Sequence, residues 1–238
     1  MEKVKSSRTY QSIIWSFRLV AVLWVIHLFQ VLSGLDLGWL GIYPHRVFGL
    51  KGIFFAPLIH ADWGHLLSNT PPLFFLSLII LYFYRSVAVP ALTMLYLLTG
   101  LTVWLFGRPV FHIGASGVIY GMVAFVFWNG IFRRNLKSIA LALIVMFYYG
   151  SMFAGILPGQ QGISWESHLL GGLVGIFTSF WFRGNLEQDE AKPVYSWERE
   201  EESPSDSYFL DRDTFDKTKE ERRRDDDIGQ WFSSRTWD

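Results

Sequence analysis

Over the first 183 positions, apolar residues recur in long runs, and the charged residues fall in the gaps between them or at run ends, except Arg18, which interrupts the first run early. A water-soluble domain would instead alternate apolar with polar positions. Six runs stand out, at roughly 14–34, 65–84, 87–107, 115–132, 137–157 and 166–183. Each is near the length of about 20 helical residues that crosses about 30 Å of hydrocarbon. The pattern predicts an all-α polytopic membrane protein of six transmembrane helices. Residues 1–13 form a cytoplasmic lead-in, 14–183 the membrane domain and 184–238 a tail.

An even number of spans puts both termini on one side. Lys3, Lys5, Arg8, Arg18, Arg85, Arg133, Arg134, Lys137 and Arg183 share the side of the N-terminus, against Arg46, Lys51 and Arg108 opposite. Basic residues collect in the cytoplasm, so both termini are expected there. Spans two, four and six then run inward from the outer face. The stretch Leu35 to Ala61 is too long for a simple turn and carries Trp39, Tyr43, Phe48, Phe54 and Phe55. A structured loop near the outer interface is expected. Other aromatics, such as Phe125 and Trp128, are expected to face lipid.

Composition adds a division. The chain is 51% hydrophobic and 18% aromatic, with 21 acidic and 21 basic residues. The balance hides a segregation: from Gly184 onward 17 acidic residues meet 9 basic ones, whereas residues 1–183 hold 4 acidic and 12 basic. The acidic tail shows no sustained apolar period, so disorder in the cytoplasm is expected. There is no cysteine, which excludes disulfides, a thiol nucleophile and sulfur-based zinc sites. Neutrality with this apolar content argues against a nucleic-acid-binding protein. Met1 is followed by two lysines and no small-residue cleavage site, so no removable signal peptide is expected. A prokaryotic plasma membrane suits such a start.

Polar groups inside a span are costly and call for a reason. Three clusters fall at the outer ends of helices that run in the same direction: His60, His65 and Asn69; Gly114 to Gly117; and Ser167 with His168. Counting back from Arg85, Arg133 and Arg183 at 1.5 Å per residue places Asn69, Ser116 and His168 about 23–26 Å from the inner face. All three are slightly submerged, at nearly one level.

Glycine spacing indicates which helices touch. Gly117 and Gly121 are four apart, as are Gly171 and Gly175, and such small faces let backbones approach closely in lipid. If the two faces meet, Ser116 and His168 come within reach. A serine hydroxyl becomes a nucleophile when a base takes its proton, and neutral imidazole is the usual base. Amides at the start of span four, aided by the helix dipole, supply donors for an oxyanion. His65 and Asn69, on one helix face, add side-chain donors, and Tyr120 can pack on the His168 ring. Glu166 points elsewhere, so a dyad is expected. His60 and His65 are spaced too far apart to stack as a metal pair on one helix face. His27, His45 and His112 are expected to take no part in chemistry, the last two as loop residues near the outer surface.

These residues resemble the rhomboid intramembrane serine proteases. The likeness rests on HADWGHLLSN at 60–69, GASGVIYG at 114–121 and SHLLGGLVG at 167–175, and covers about residues 10–183. It implies a rhomboid-like bundle with Ser116 as nucleophile, His168 as base, and His65, Asn69 and the Ser116 amide around the oxyanion. His60, Gly114, Gly117, Tyr120 and Gly171 would be supporting residues. It also implies transmembrane segments of other proteins as substrates, within the lipid bilayer, and no metal or cofactor. Ser167 stands where the family commonly has alanine, and the first outer loop lacks the Trp-Arg pair many members carry. Pro158 to Gly162 has hinge chemistry and is expected to cap the site. The alternatives are a non-catalytic rhomboid-like protein that binds and escorts transmembrane helices, and a transporter, which would show charged spans and matching halves.

Overall fold

A computed structural model describes residues 2–158, 164–185, 187 and 216–233. Among these the chain is helical, without strands; one isolated antiparallel bridge joins Ile42 to His112. Helix α1 (Glu2–Ser33) leads into a connection of short 3-10 turns around α2 (Gly52–Phe55). Then come α3 (Trp63–Phe83), α4 (Ala88–Phe106), α5 (Ser116–Arg133), α6 (Leu136–Tyr149), α7 (Trp165–Trp181) and α8 (Lys219–Ser233). Most of the expected capping loop, 159–162, lies outside the described residues.

Helix ends follow local chemistry. Asp62 accepts the His65 amide and starts α3, and Asn135 accepts the Ser138 amide and starts α6. α5 stops where Arg134 turns left-handed, at φ 54°. Pro71 and Pro72 lie inside α3, yet the helix runs unbroken. Trp24 donates to the Thr70 hydroxyl from α1 and Thr70 donates to the Leu66 carbonyl, which pins this segment. Helix α1 already begins at Glu2, so the 1–13 lead-in is continuous in local structure with the first apolar run.

Ser7–Ser33, Trp63–Phe83, Ala88–Phe106 and Leu136–Ile156 are long and apolar enough to cross a membrane. Helices α5 and α7 do not meet that measure, so four such helices stand where six are expected. The reason is their position. α5 buries Gly117, Ile119, Gly121, Met122, Phe125 and Val126, and a helix surrounded by protein needs less apolar surface than one facing lipid. Phe125 corrects the expectation of a lipid-facing ring: it is fully buried and packs edge-on against Tyr84, 5.4 Å between centroids.

The glycine faces of α5 and α7 do meet. A Cβ at Gly171 would strike the Gly117 carbonyl, one at Gly175 the Gly121 carbonyl, and one at Gly121 would lie 3.1 Å from the Gly171 oxygen. Around this pair the core gathers Leu66, Leu76, Ile80, Leu95 and Ile119. Buried polar side chains in the helices bond back to their own backbone, Asn129 to Phe125 and Thr178 to Val174, each at 2.8 Å. The outer surface is apolar, with Phe75, Phe106, Leu143, Phe147 and Phe177 exposed. That is the reverse of a protein surrounded by water.

The chain divides into two compact units, Met1–Ala191 and Lys192–Asp238. In the second, 219–233 is helical, which departs from the disorder expected of the acidic tail. Thr218 and Glu221 form a reciprocal capping box: the Thr218 amide donates to the Glu221 carboxylate at 2.7 Å, and the Glu221 amide to the Thr218 hydroxyl at 3.3 Å. Lys217 pairs with Asp225 at 2.9 Å. Residues 188–215 and 234–238 lie outside the described set.

Candidate active site

Close approach of α5 and α7 brings their first turns side by side. Ser116 opens α5, and His168 sits in the first turn of α7, three residues ahead of Gly171. The Ser116 Oγ and His168 Nε2 are 2.8 Å apart. Ser116 is half-buried and His168 is 8% exposed, so the pair is largely enclosed by the bundle.

The proton positions on His168 follow from its partners. Nδ1 lies 2.9 Å from the Gly155 carbonyl, which can only accept, so Nδ1 carries the hydrogen. Nε2 is left with its lone pair toward the serine hydroxyl. The Tyr120 ring stacks on the imidazole, centroids 4.1 Å apart and planes 8° from parallel. Tyr120 is in turn fixed by its hydroxyl, which donates to the Met152 carbonyl at 2.6 Å. Both anchoring carbonyls belong to the 3-10 segment Gly150–Ile156, and a Cβ on Gly155 would collide with the Tyr120 hydroxyl. A backbone oxygen therefore occupies the place that a carboxylate would take in a triad.

No side chain caps the start of α5. Its first amides are thus available as donors beside Ser116, at the positive end of the helix dipole. Gly114 adopts φ +101°, and its amide donates to the Ala56 carbonyl at 2.8 Å. A Cβ at Gly114 would fall 2.5 Å from His65 Nε2, so the His65 ring lies directly over this glycine. Asn69 is buried one turn further along α3, its amide nitrogen donating to the His65 carbonyl at 3.0 Å. Behind His65, the fully buried His60 ring stands edge-on at 4.9 Å. Burial, reinforced by the nearby His65, pushes the His60 imidazole down to about 4.

His112 is not the surface loop residue the sequence suggests. It is 2% exposed, because the loop before α5 is clamped to the first connection through the paired amides and carbonyls of Ile42 and His112. Its Nε2 donates to the Arg108 carbonyl at 3.0 Å, leaving Nδ1 to accept from the Ser164 hydroxyl, with Ser167 Oγ at 3.4 Å. Burial holds this imidazole below its ordinary range. Arg108 forms a bidentate pair with the nearly buried Glu166. These contacts tie the segment carrying Ser116 to the one carrying His168. An isolated histidine, arginine or glutamate gave no periodic signal of that. Of the other two histidines left out of the chemistry, His27 is buried edge-on to Trp63, and His45 bonds to the Leu105 carbonyl at 2.8 Å.

The Rhomboid domain family model matches residues 48–185. An uncharacterized protein of Mycobacterium tuberculosis is 40% identical over 170 residues, covering 68% of this chain and 71% of that protein. An uncharacterized protein of Mycobacterium leprae is 34% identical over 170 residues, covering 68% and 67% respectively.

Proposed function

The chain belongs to the rhomboid family, and on that premise we propose that it is an intramembrane serine endopeptidase that cleaves transmembrane segments of other proteins. The observation that carries this reading is the 2.8 Å contact between the Ser116 hydroxyl and a His168 nitrogen whose partner nitrogen is committed to the Gly155 carbonyl. In this reading Ser116 Oγ attacks the scissile carbonyl carbon as its proton passes to His168 Nε2. The tetrahedral oxyanion is received by the Ser116 amide, His65 and Asn69. Collapse breaks the peptide bond, and His168 returns the proton to the leaving nitrogen. Water, deprotonated by the same imidazole, then hydrolyses the acyl-enzyme and frees the serine. His60, Gly114, Gly117, Tyr120 and Gly171 support this geometry through the contacts described above.

Six helices, α1 and α3–α7, cross the bilayer in this reading, α5 and α7 as the shielded inner pair. Both termini face the cytoplasm, as the distribution of basic residues favours, and the membrane is a prokaryotic plasma membrane. A fluorophosphonate probe tests the chemistry directly. The protein should be labelled on Ser116, and Ser116→Ala and His168→Ala should each abolish labelling while melting as the wild type does. Labelling undiminished in Ser116→Ala would refute the assignment.

A further inference from the structure

The end of the bundle opposite Ser116 contains a cavity that the proteolytic chemistry does not use. α1 packs along α3, and α4 leans on α7, so α1 and α4 part at this end and leave a groove floored by the last turn of α3. Its volume is about 520 Å³. Arg8 from α1 and Arg85 from the α3–α4 turn stand at its mouth, both exposed. Neither guanidinium has a hydrogen-bond or ion-pair partner among the described residues. The nearby carboxylate of Glu187 is engaged instead by the Ser86 amide and hydroxyl, at 2.8 and 2.7 Å. Gln11, Ser12 and Thr93 add polar groups to the lining, and Trp15, Leu19, Leu81, Val89 and Leu92 make the rest of it apolar. Leu19 lies about 16 Å along α1 from Arg8, at 1.5 Å per residue.

We propose that this groove is a binding site for one anionic phospholipid, its phosphate held between Arg8 and Arg85 and an acyl chain laid along Leu19, Leu81 and Leu92. Two unpaired guanidinium groups at a membrane boundary match a phosphodiester in charge and in fork geometry. Basic pockets between transmembrane helices hold acidic head groups in this way. The apolar floor selects a lipid over a free anion, because only a lipid also fills the space between the two helices. Trp15 and Tyr82 contribute aromatic rings to the groove's lining, of the kind that settle beside head groups at a membrane boundary. The site lies about 30 Å along α3 from His65, so it touches none of the residues around Ser116.

The test uses the full chain in a neutral maltoside detergent, with phosphatidylglycerol, phosphatidylcholine or inorganic phosphate added. Native mass spectrometry counts the bound lipid, and thermal unfolding measures stabilisation. One phosphatidylglycerol should be retained per chain. The double variant Arg8→Gln with Arg85→Gln should weaken its binding about 10- to 30-fold, whereas Arg183→Gln, which removes a cation outside the groove, should leave it unchanged. Val89→Trp, which fills the groove and keeps both arginines, should also weaken it, and it decides the matter if the double variant melts early without lipid. Wild-type binding in the double variant or in Val89→Trp would overturn the proposal. So would equal retention of phosphatidylcholine, equal loss in Arg183→Gln, or full stabilisation by inorganic phosphate alone. Fluorophosphonate labelling is not read here, so the two proposals fail separately.

Discussion

His168 is oriented by a backbone carbonyl, and that places unusual weight on a residue without a side chain. A Cβ at Gly155 would collide with the Tyr120 hydroxyl and sit 3.2 Å from His168 Nδ1. Gly155→Ala is expected to lower kcat about 100-fold, with KM little changed, because a small misplacement of the base is felt in the transition state. Steady-state cleavage of a model segment checks it; an unaltered kcat would contradict the role. His60 makes a second residue-level prediction. Its imidazole, facing His65, His27 and Asp62, is held at about 4 rather than 6.5. Between those values the unfolded chain binds a proton that the folded chain refuses, so stability falls as pH drops from 6.5 toward 4 and levels below. Unfolding midpoints in detergent across that range should show the slope, and His60→Gln should make it shallower, with the buried His112 retaining its share; the same slope in both proteins would exclude His60 as a source. At this scale the sequence discloses Ser116, His168, Tyr120, His65 and Asn69 because their side chains are conspicuous in an apolar context. Gly155 stays hidden because a carbonyl oxygen is common to every residue, and His112 because its burial depends on a distant pairing with Ile42.

Among the helices, α5 and α7 carry the candidate site while being the least suited to lipid. Their glycine pairs explain both facts: close backbone contact aligns Ser116 with His168, and mutual burial removes the need for apolar length. Glycine spacing makes this contact legible in the sequence. The apolar runs locate the six long helices to within a few residues at most ends, the chief exception being α1, which starts at Glu2. Capping chemistry accounts for what is missed. Thr218 and Glu221 begin a helix in an acidic stretch that shows no sustained apolar period. Whether α5 crosses the bilayer can be read directly, since the chain has no native cysteine. Val110→Cys and Leu136→Cys, on either side of α5 and both exposed, should react with a membrane-impermeant maleimide from opposite faces of sealed vesicles. Reaction from one face would show that α5 does not span.

At the scale of the membrane-domain unit, many large apolar residues face outward, while His27, His60, Asn69, His112, Asn129 and His168 are buried. That inversion is the strongest signal in the sequence, because bilayer solvation acts on every exposed position at once. In the proposed function it sets the place of the chemistry, with Ser116 half-buried at the start of α5 and the substrate helix coming from lipid. The most direct measurement is cleavage of a membrane-embedded segment by the reconstituted full chain in proteoliposomes, with fragments identified by mass spectrometry. The account predicts a cut within or at the edge of the segment for the wild type, and none for Ser116→Ala or His168→Ala reconstituted at equal density. Cleavage that persists in either variant, or a folded wild type that cleaves none of a broad library of segments, would contradict it.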